Sequence, residues 1–191
     1  MIPSPITPHD LAAHLETLAP DGITRFSLGR EPDHPLVLGF LIHGSRTLAQ
    51  MQANHQLGPI ESYLLGKGLL GAGLLAAMLK NEGMITVRVD SASPAEGFAA
   101  DAMRDASGAI SVRGRLFVNP LPEEALSLDS ARAIFQGGSL TVIRTEAEKR
   151  PFHGSVALRT GDLGKDLTWY FLESEQTHAA VDMGVSLRRD G

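Results

Sequence analysis

Cysteine is absent from all 191 residues, which excludes disulfides, thiolate zinc sites and a cysteine nucleophile within them. A cationic excess is missing too: 17 Lys+Arg stand against 22 Asp+Glu, for a net charge of −5. Both halves of the chain carry a small negative balance, so neither is a basic arm and nucleic acid is not expected as a partner. Long hydrophobic runs are also lacking. The most apolar stretch, Leu69 to Leu79, is continuous over only about 11 to 16 residues, short of a bilayer span, and Lys67 and Lys80 flank it, so a buried core helix is expected and a membrane is not. Met1 to Pro20 contains Pro3, Pro5, Pro8, Asp10 and Glu16 but no Lys or Arg. That start does not fit a secretory signal, and a cytoplasmic address is the expectation.

What remains is a globular composition, 43% hydrophobic and 20% charged, on a chain long enough to remove roughly 70% of its unfolded surface from water. A short helix over Asp10–Glu16, capped by Thr7 or Asp10, serves as a peripheral lead-in. Two strands, Ile23–Arg30 and Leu36–Ile42, are predicted around the breaker cluster Glu31-Pro32-Asp33-His34-Pro35. Ser45 can cap a helix to about His55, and Gly58-Pro59 opens a longer one over Ile60–Lys80. Met84–Asp90, Gly97–Met103 and Ile110–Val118 read as strands, the first and last by strict alternation, with an antiparallel meander implied. A short helix over Asp129–Phe135 and two more strands, Ser139–Thr145 and Phe152–Leu158, follow. A last helix runs from Asp162 or Gly164 to about Glu175, and Ala179–Leu187 can be a final strand. The expectation is an α+β fold: mixed or antiparallel sheets packed with a buried apolar helix and a C-terminal amphipathic helix.

Motifs for bond chemistry are weak. Gly66-Lys67-Gly68-Leu69-Leu70-Gly71 fits G-x-G-x-x-G, with Asp90 following a strand, and would suggest a nicotinamide-dependent oxidoreductase. That mechanism needs a strand before the first glycine, whereas Pro59 at a helix start places Gly66 in mid-helix, where the N–H groups are already bonded. The glycines are better explained by close helix packing. The seven histidines form no H-x-x-x-H or H-E-x-x-H pair, no G-x-S-x-G elbow exists, and Glu123-Glu124 reads as solvated acid. No enzyme and no cofactor are expected of these residues. On the last helix, Leu163, Leu167, Tyr170, Phe171 and Ser174 share one arc at about 100° per residue, while Leu172 and Trp169 lie off it. Trp169 either packs under a loop or joins Leu172 in an apolar patch that binds another chain. Phe40 and Leu41 are the other apolar surface candidates.

The order of segments resembles a known family. Leu64-Leu65-Gly66 through Leu79-Lys80, then Glu82-Gly83 and Ile85-Thr86-Val87, and far downstream Leu167 and Tyr170-Phe171-x-x-Ser174-Glu175-Gln176, resemble the redox-regulated heat-shock chaperones of about 33 kDa, the 33 kDa chaperonins. Asn54-His55, Arg113-Gly114 and Gly154 ahead of an apolar strand are weaker matches. The resemblance implies an ATP-independent holdase that captures unfolded clients on apolar surface under heat or oxidative stress. It also implies a division into residues 1–22, a lead-in, and 23–191, a substrate-binding core. Family members add a metastable linker and a small domain whose four cysteines hold zinc until oxidation. Neither is in this sequence, so zinc is expected only if a cysteine-containing domain exists beyond Gly191. Thr177-His178 stands where the family has a proline after Ser-Glu-Gln, and Trp169 stands where it usually has a polar residue. The client-binding candidates are therefore Phe40, Leu41, Trp169 and Leu172, with a homodimer as a further partner. A non-enzymatic homodimerising module is the alternative.

Overall fold

The computed structural model of the chain describes residues 8–29, 37–122, 135, 137–147 and 149–187. The cap at Thr7, the breaker cluster 31–35, Glu123-Glu124 and all of the helix expected over 129–135 except Phe135 lie outside the described residues. Among those described, four helices and two antiparallel sheets give the expected α+β architecture. In chain order these are α1 (Pro8–Thr17), β1 (Gly22–Leu28), β2 (Val37–His43), α2 (Ser45–His55), α3 (Pro59–Ala77), β3 (Gly83–Ser91), β4 (Gly97–Arg104), β5 (Ile110–Leu116), β6 (Gly138–Glu146), β7 (Phe152–Ala157) and α4 (Leu163–Glu173).

The larger sheet has the order β5-β4-β3-β6-β7. The expected meander holds for β3, β4 and β5, but β6 returns to the far side of β3, pairing Val87 with Val142, so β3 is the central strand. Alternation decides the faces. Ile85, Val87 and Val89, with Phe98, Ala100 and Ala102 and with Leu140 and Val142, are buried on one face, and the helices cover it.

Helix α3 is the axis of the core. It is long and apolar enough to cross a membrane by length and composition, yet most of it is buried inside the protein. Its glycines let neighbours approach on different sides: a methyl at Gly68 would meet the Phe98 ring, at Gly71 Met183, Leu163 and Leu167, and at Gly73 Ile42 and Val112. The segment that matched a dinucleotide motif is thus mid-helix packing surface. Lys67, read from sequence as a flank, lies buried within α3 and bonds Asp162 at the start of α4.

Two terminal features depart from the sequence reading. Ser45 does not cap α2; its Oγ lies 3.0 Å from His43 Nε2. The cap comes instead from Asp21, 25 residues upstream, whose carboxylate accepts from the N–H groups of Arg46 and Thr47, each at 2.8 Å. Short-range rules look for a cap at the helix's own first residue, so a cap from a distant loop goes unseen. Asp21→Ala is expected to lower stability by about 1 kcal/mol, as for loss of an N-cap; urea unfolding checks it, and Ser45→Ala should cost clearly less. The final strand expected over 179–187 is not formed: the segment belongs to no helix and joins no sheet. Val181, Met183 and Val185 are half-buried in alternation, with Met183 at Gly71 and Val185 at Gly66. Alternation there reflects packing on a helix, which mimics a half-buried strand.

Candidate functional site

No convergent set of acid, base and nucleophile marks a reaction centre among the described residues, and none of their His, Asp or Glu side chains cluster in threes around a point fit for a metal. The feature that sets this molecule apart is apolar surface. Strands β1 and β2 form a two-stranded ribbon on their own, in a register that pairs Ile23 with Ile42 and Leu28 with Val37. Every residue of β1 is exposed. Cross-strand pairs put Thr24, Leu41, Phe26, Leu28 and Val37 on one face, and Ile23, Ile42, Arg25, Phe40 and Leu38 on the other. Ile23, Phe26, Leu28, Val37, Leu38 and Leu41 are all exposed, Leu41 most of all at 63%. Ile42 ties the base of the ribbon to α3 through Gly73.

Of the sequence candidates, Leu41 is therefore fully presented and Phe40 is half-buried. Sequence reasoning missed Ile23, Phe26, Leu28, Val37 and Leu38. The signal was present, because apolar residues occupy both parities of these strands, a pattern that demands cover on both faces; it looks the same as that of a doubly buried strand.

The second patch lies on α4. Leu172 is exposed, and Trp169 is half-buried with the Arg159 guanidinium 4.3 Å above its ring. Arg159 is held there by an ion pair with Glu173. Trp169 and Leu172 stand one turn apart and are neighbours. The two patches are not continuous through α3: β2 meets it at Gly73 and α4 meets it at Gly71, two residues or about 200° apart, so they occupy opposite sides of that helix.

The run Tyr170-Phe171-x-x-Ser174-Glu175-Gln176 closes α4 rather than lining a surface. Tyr170 and Phe171 are buried with their rings edge to face, centroids 5.7 Å apart. The Tyr170 hydroxyl donates to Glu175 Oε1 at 2.8 Å, and Arg144 stands 3.5 Å from the same oxygen. Ser174 is the C-cap, and Gln176 adopts a left-handed conformation (φ 51°) as the chain turns away. Gly154 of β7 leaves room for this closure, since a methyl there would strike Ser174 Oγ and the Tyr170 ring. Burial, above all, and the bond to the Glu175 carboxylate raise the Tyr170 pKa well above that of an ordinary phenol.

Comparison with known proteins agrees with this architecture. The sequence model of one family, described as Hsp33 protein, matches residues 32–191. A 33 kDa chaperonin from Shouchella clausii is 38% identical over 135 residues, covering 69% of this chain and 44% of that protein. One from Geobacillus kaustophilus is 35% identical over 158 residues, covering 81% and 52%. A crystal structure of the 33 kDa chaperonin from Thermotoga maritima superposes with a TM-score of 0.62 at 28% identity, covering 75% of this chain and 49% of that one. The chain spans about half the length of the curated relatives it matches.

Proposed function

The chain belongs to the Hsp33 protein family, and from that premise we propose that it is the client-binding core of an ATP-independent holdase, a non-enzymatic chaperone of the cytoplasm. The observation that carries this reading is the β1–β2 ribbon, apolar on both faces and exposed on both. An unfolded client exposes the same kind of surface, and covering it removes apolar area from water on both partners at roughly 25 cal/mol per Å². The Trp169–Leu172 patch adds a second contact on the opposite side of α3. These residues contain no cysteine, so no thiolate–zinc or thiol–disulfide switch operates within them.

The test is aggregation of a chemically denatured protein, followed by light scattering with this chain at equal molar amounts and without ATP or oxidant. Suppressed scattering is the expected result; unchanged scattering overturns the reading. Leu41→Glu puts a charge on the most exposed ribbon residue and is expected to reduce protection at least threefold with unfolding midpoints unchanged. Trp169→Glu is expected to reduce it less, because Arg159 already covers one side of that ring.

A second reading rests on the same ribbon. Two strands alone are marginal in water, so two copies could cover each other's ribbons in a homodimer. Sedimentation separates the readings: a dimer with no effect on scattering favours a plain dimerisation module.

A further inference from the structure

Strand β5 is one edge of the larger sheet, and it does not face open solvent along its length. Helix α2 runs beside it across a groove of about 670 Å³. The wall that α2 contributes is Thr47, Gln50, Met51 and Asn54, an i, i+3, i+4, i+7 stripe and hence one face of the helix. Leu69 of α3 and Val112 of β5 add apolar lining.

The β5 backbone is suited to receive a strand. Phe117 donates its N–H to Gly97 O at 3.0 Å, which sets the parity of the ladder: Ser111, Arg113 and Arg115 bond β4, and Ile110, Val112 and Gly114 turn their N–H and C=O groups to the free edge. No described strand pairs with that edge. Opposite it, the exposed amides of Gln50 and Asn54 have the donors and acceptors to bond the outer edge of an inserted chain.

We propose that the α2–β5 groove is a peptide-binding site, in which an extended, non-native polypeptide segment adds to β5 as a sixth strand. The side chains specify what it takes. Alternate residues of an added strand point to opposite faces. Those on the inner face meet Met51, Leu69 and Val112 and must be apolar. Those on the outer face meet Arg113 and Arg115, against the single acid Asp101 that pairs with Arg113 at 3.0 Å. Arg113 keeps 79% of its side chain exposed, so acidic residues are favoured there. The preferred ligand is thus an extended segment alternating apolar with acidic residues, bound by strand addition. This deepens the holdase reading, on which it rests for what the segment represents, by giving capture a second mode: backbone pairing at β5 beside apolar contact on the ribbon.

The probe is a blocked peptide of seven residues alternating valine and glutamate, added to the full chain and followed by amide hydrogen exchange. The N–H groups of Val112 and Gly114 are expected to exchange at least tenfold more slowly. Methylating the peptide's alternate backbone nitrogens keeps its side chains and removes its donors, and should abolish that protection. A valine–lysine peptide should bind at least fivefold more weakly, and Arg115→Glu, an exposed change, should reverse the preference. Gln50→Trp, also exposed, should block the groove. Equal binding of the methylated peptide, or protection confined to β1–β2 or β7, overturns the proposal, as does protection of β5 that rises with protein concentration alone, which would make a second copy the occupant. A chain that suppresses scattering without β5 protection keeps the holdase reading and loses this one; β5 protection without suppression does the reverse.

Discussion

Tyr170→Ala is expected to destabilise the fold by about 4 kcal/mol, the usual cost of removing a large buried aromatic side chain and a large share of the roughly 5–15 kcal/mol that holds a domain folded. Tyr170 is only 1% exposed and packs against Phe171 and Gly154, so removing its ring leaves a void in the core. Tyr170→Phe separates packing from hydrogen bonding: it keeps the ring, loses the bond to Glu175, and should cost about 1 kcal/mol. Its pH profile is diagnostic. A phenol whose folded pKa is raised adds stability that is fully present below its unfolded pKa, about 10, and is lost as pH rises through the folded value. Wild type should therefore lose stability above about pH 10 more steeply than Tyr170→Phe. Urea midpoints between pH 7 and 11 measure this, and parallel profiles for the two proteins would show that the hydroxyl is not protected as described.

Where one physical rule governed a segment, the sequence was readable. Ile85, Val87 and Val89 alternate because one side of β3 meets helices and the other meets water, and the strand, to within one residue at each end, and its buried face follow. Helix α3 is apolar all round because it is enclosed all round. Reading failed where partners are distant in the chain. Asp21 caps α2 from another element, and β6 pairs with β3 across more than 45 intervening residues, a choice that local pattern does not record. Val181, Met183 and Val185 alternate against a helix instead of a sheet. The candidate surface was half legible. Leu41 and Leu172 are presented, but the rest of the ribbon was invisible because exposure is a property of the assembled molecule. Tryptophan 169 shows the same limit: its angle on α4 takes it off the core stripe, yet only the fold reveals Arg159 over its ring.

Lys67→Met is expected to cost about 3 kcal/mol, the lower end of the range for breaking a buried ion pair. The lower end applies because the pair is buried unevenly: the Lys67 side chain is 8% exposed and that of Asp162 is 30% exposed, so water can recover part of the orphaned carboxylate. Lys67 Nζ lies 2.7 Å from Asp162 Oδ2 and 5.0 Å from the Tyr63 ring centroid. Asp162 Oδ1 meanwhile caps α4, accepting from the N–H groups of Gly164 at 3.1 Å and Lys165 at 3.2 Å. One carboxylate thus joins α3 to the first turn of α4. Methionine preserves the stem's packing and removes only the charge and its donors. In Lys67→Met/Asp162→Asn the orphaned charge is gone and asparagine still caps, so the double variant should be more stable than Lys67→Met alone, and the non-additivity of the cycle measures the coupling. Both pKa values shift in the direction that favours the charged forms. Burial opposes this for Asp162, but its bonds from Lys67 and the α4 backbone hold its pKa below the usual carboxylate value; burial also opposes it for Lys67, but Asp162 and Tyr63 raise its pKa above 10.5. The pair's contribution is therefore complete between about pH 4 and 10.5, lost as pH falls through the lowered Asp162 pKa and lost again as it rises through the raised Lys67 pKa. Urea midpoints across pH 3 to 11 should fall less steeply at both ends of this window in Lys67→Met than in wild type, because only the alkaline loss due to Tyr170 and the part of the Asp162 shift held by the α4 backbone remain. If the single variant falls as steeply as wild type at both ends, or if the double variant is no more stable than the single, the tie between α3 and α4 comes from apolar packing of Leu163 and Leu167 on Gly71 and not from the ion pair.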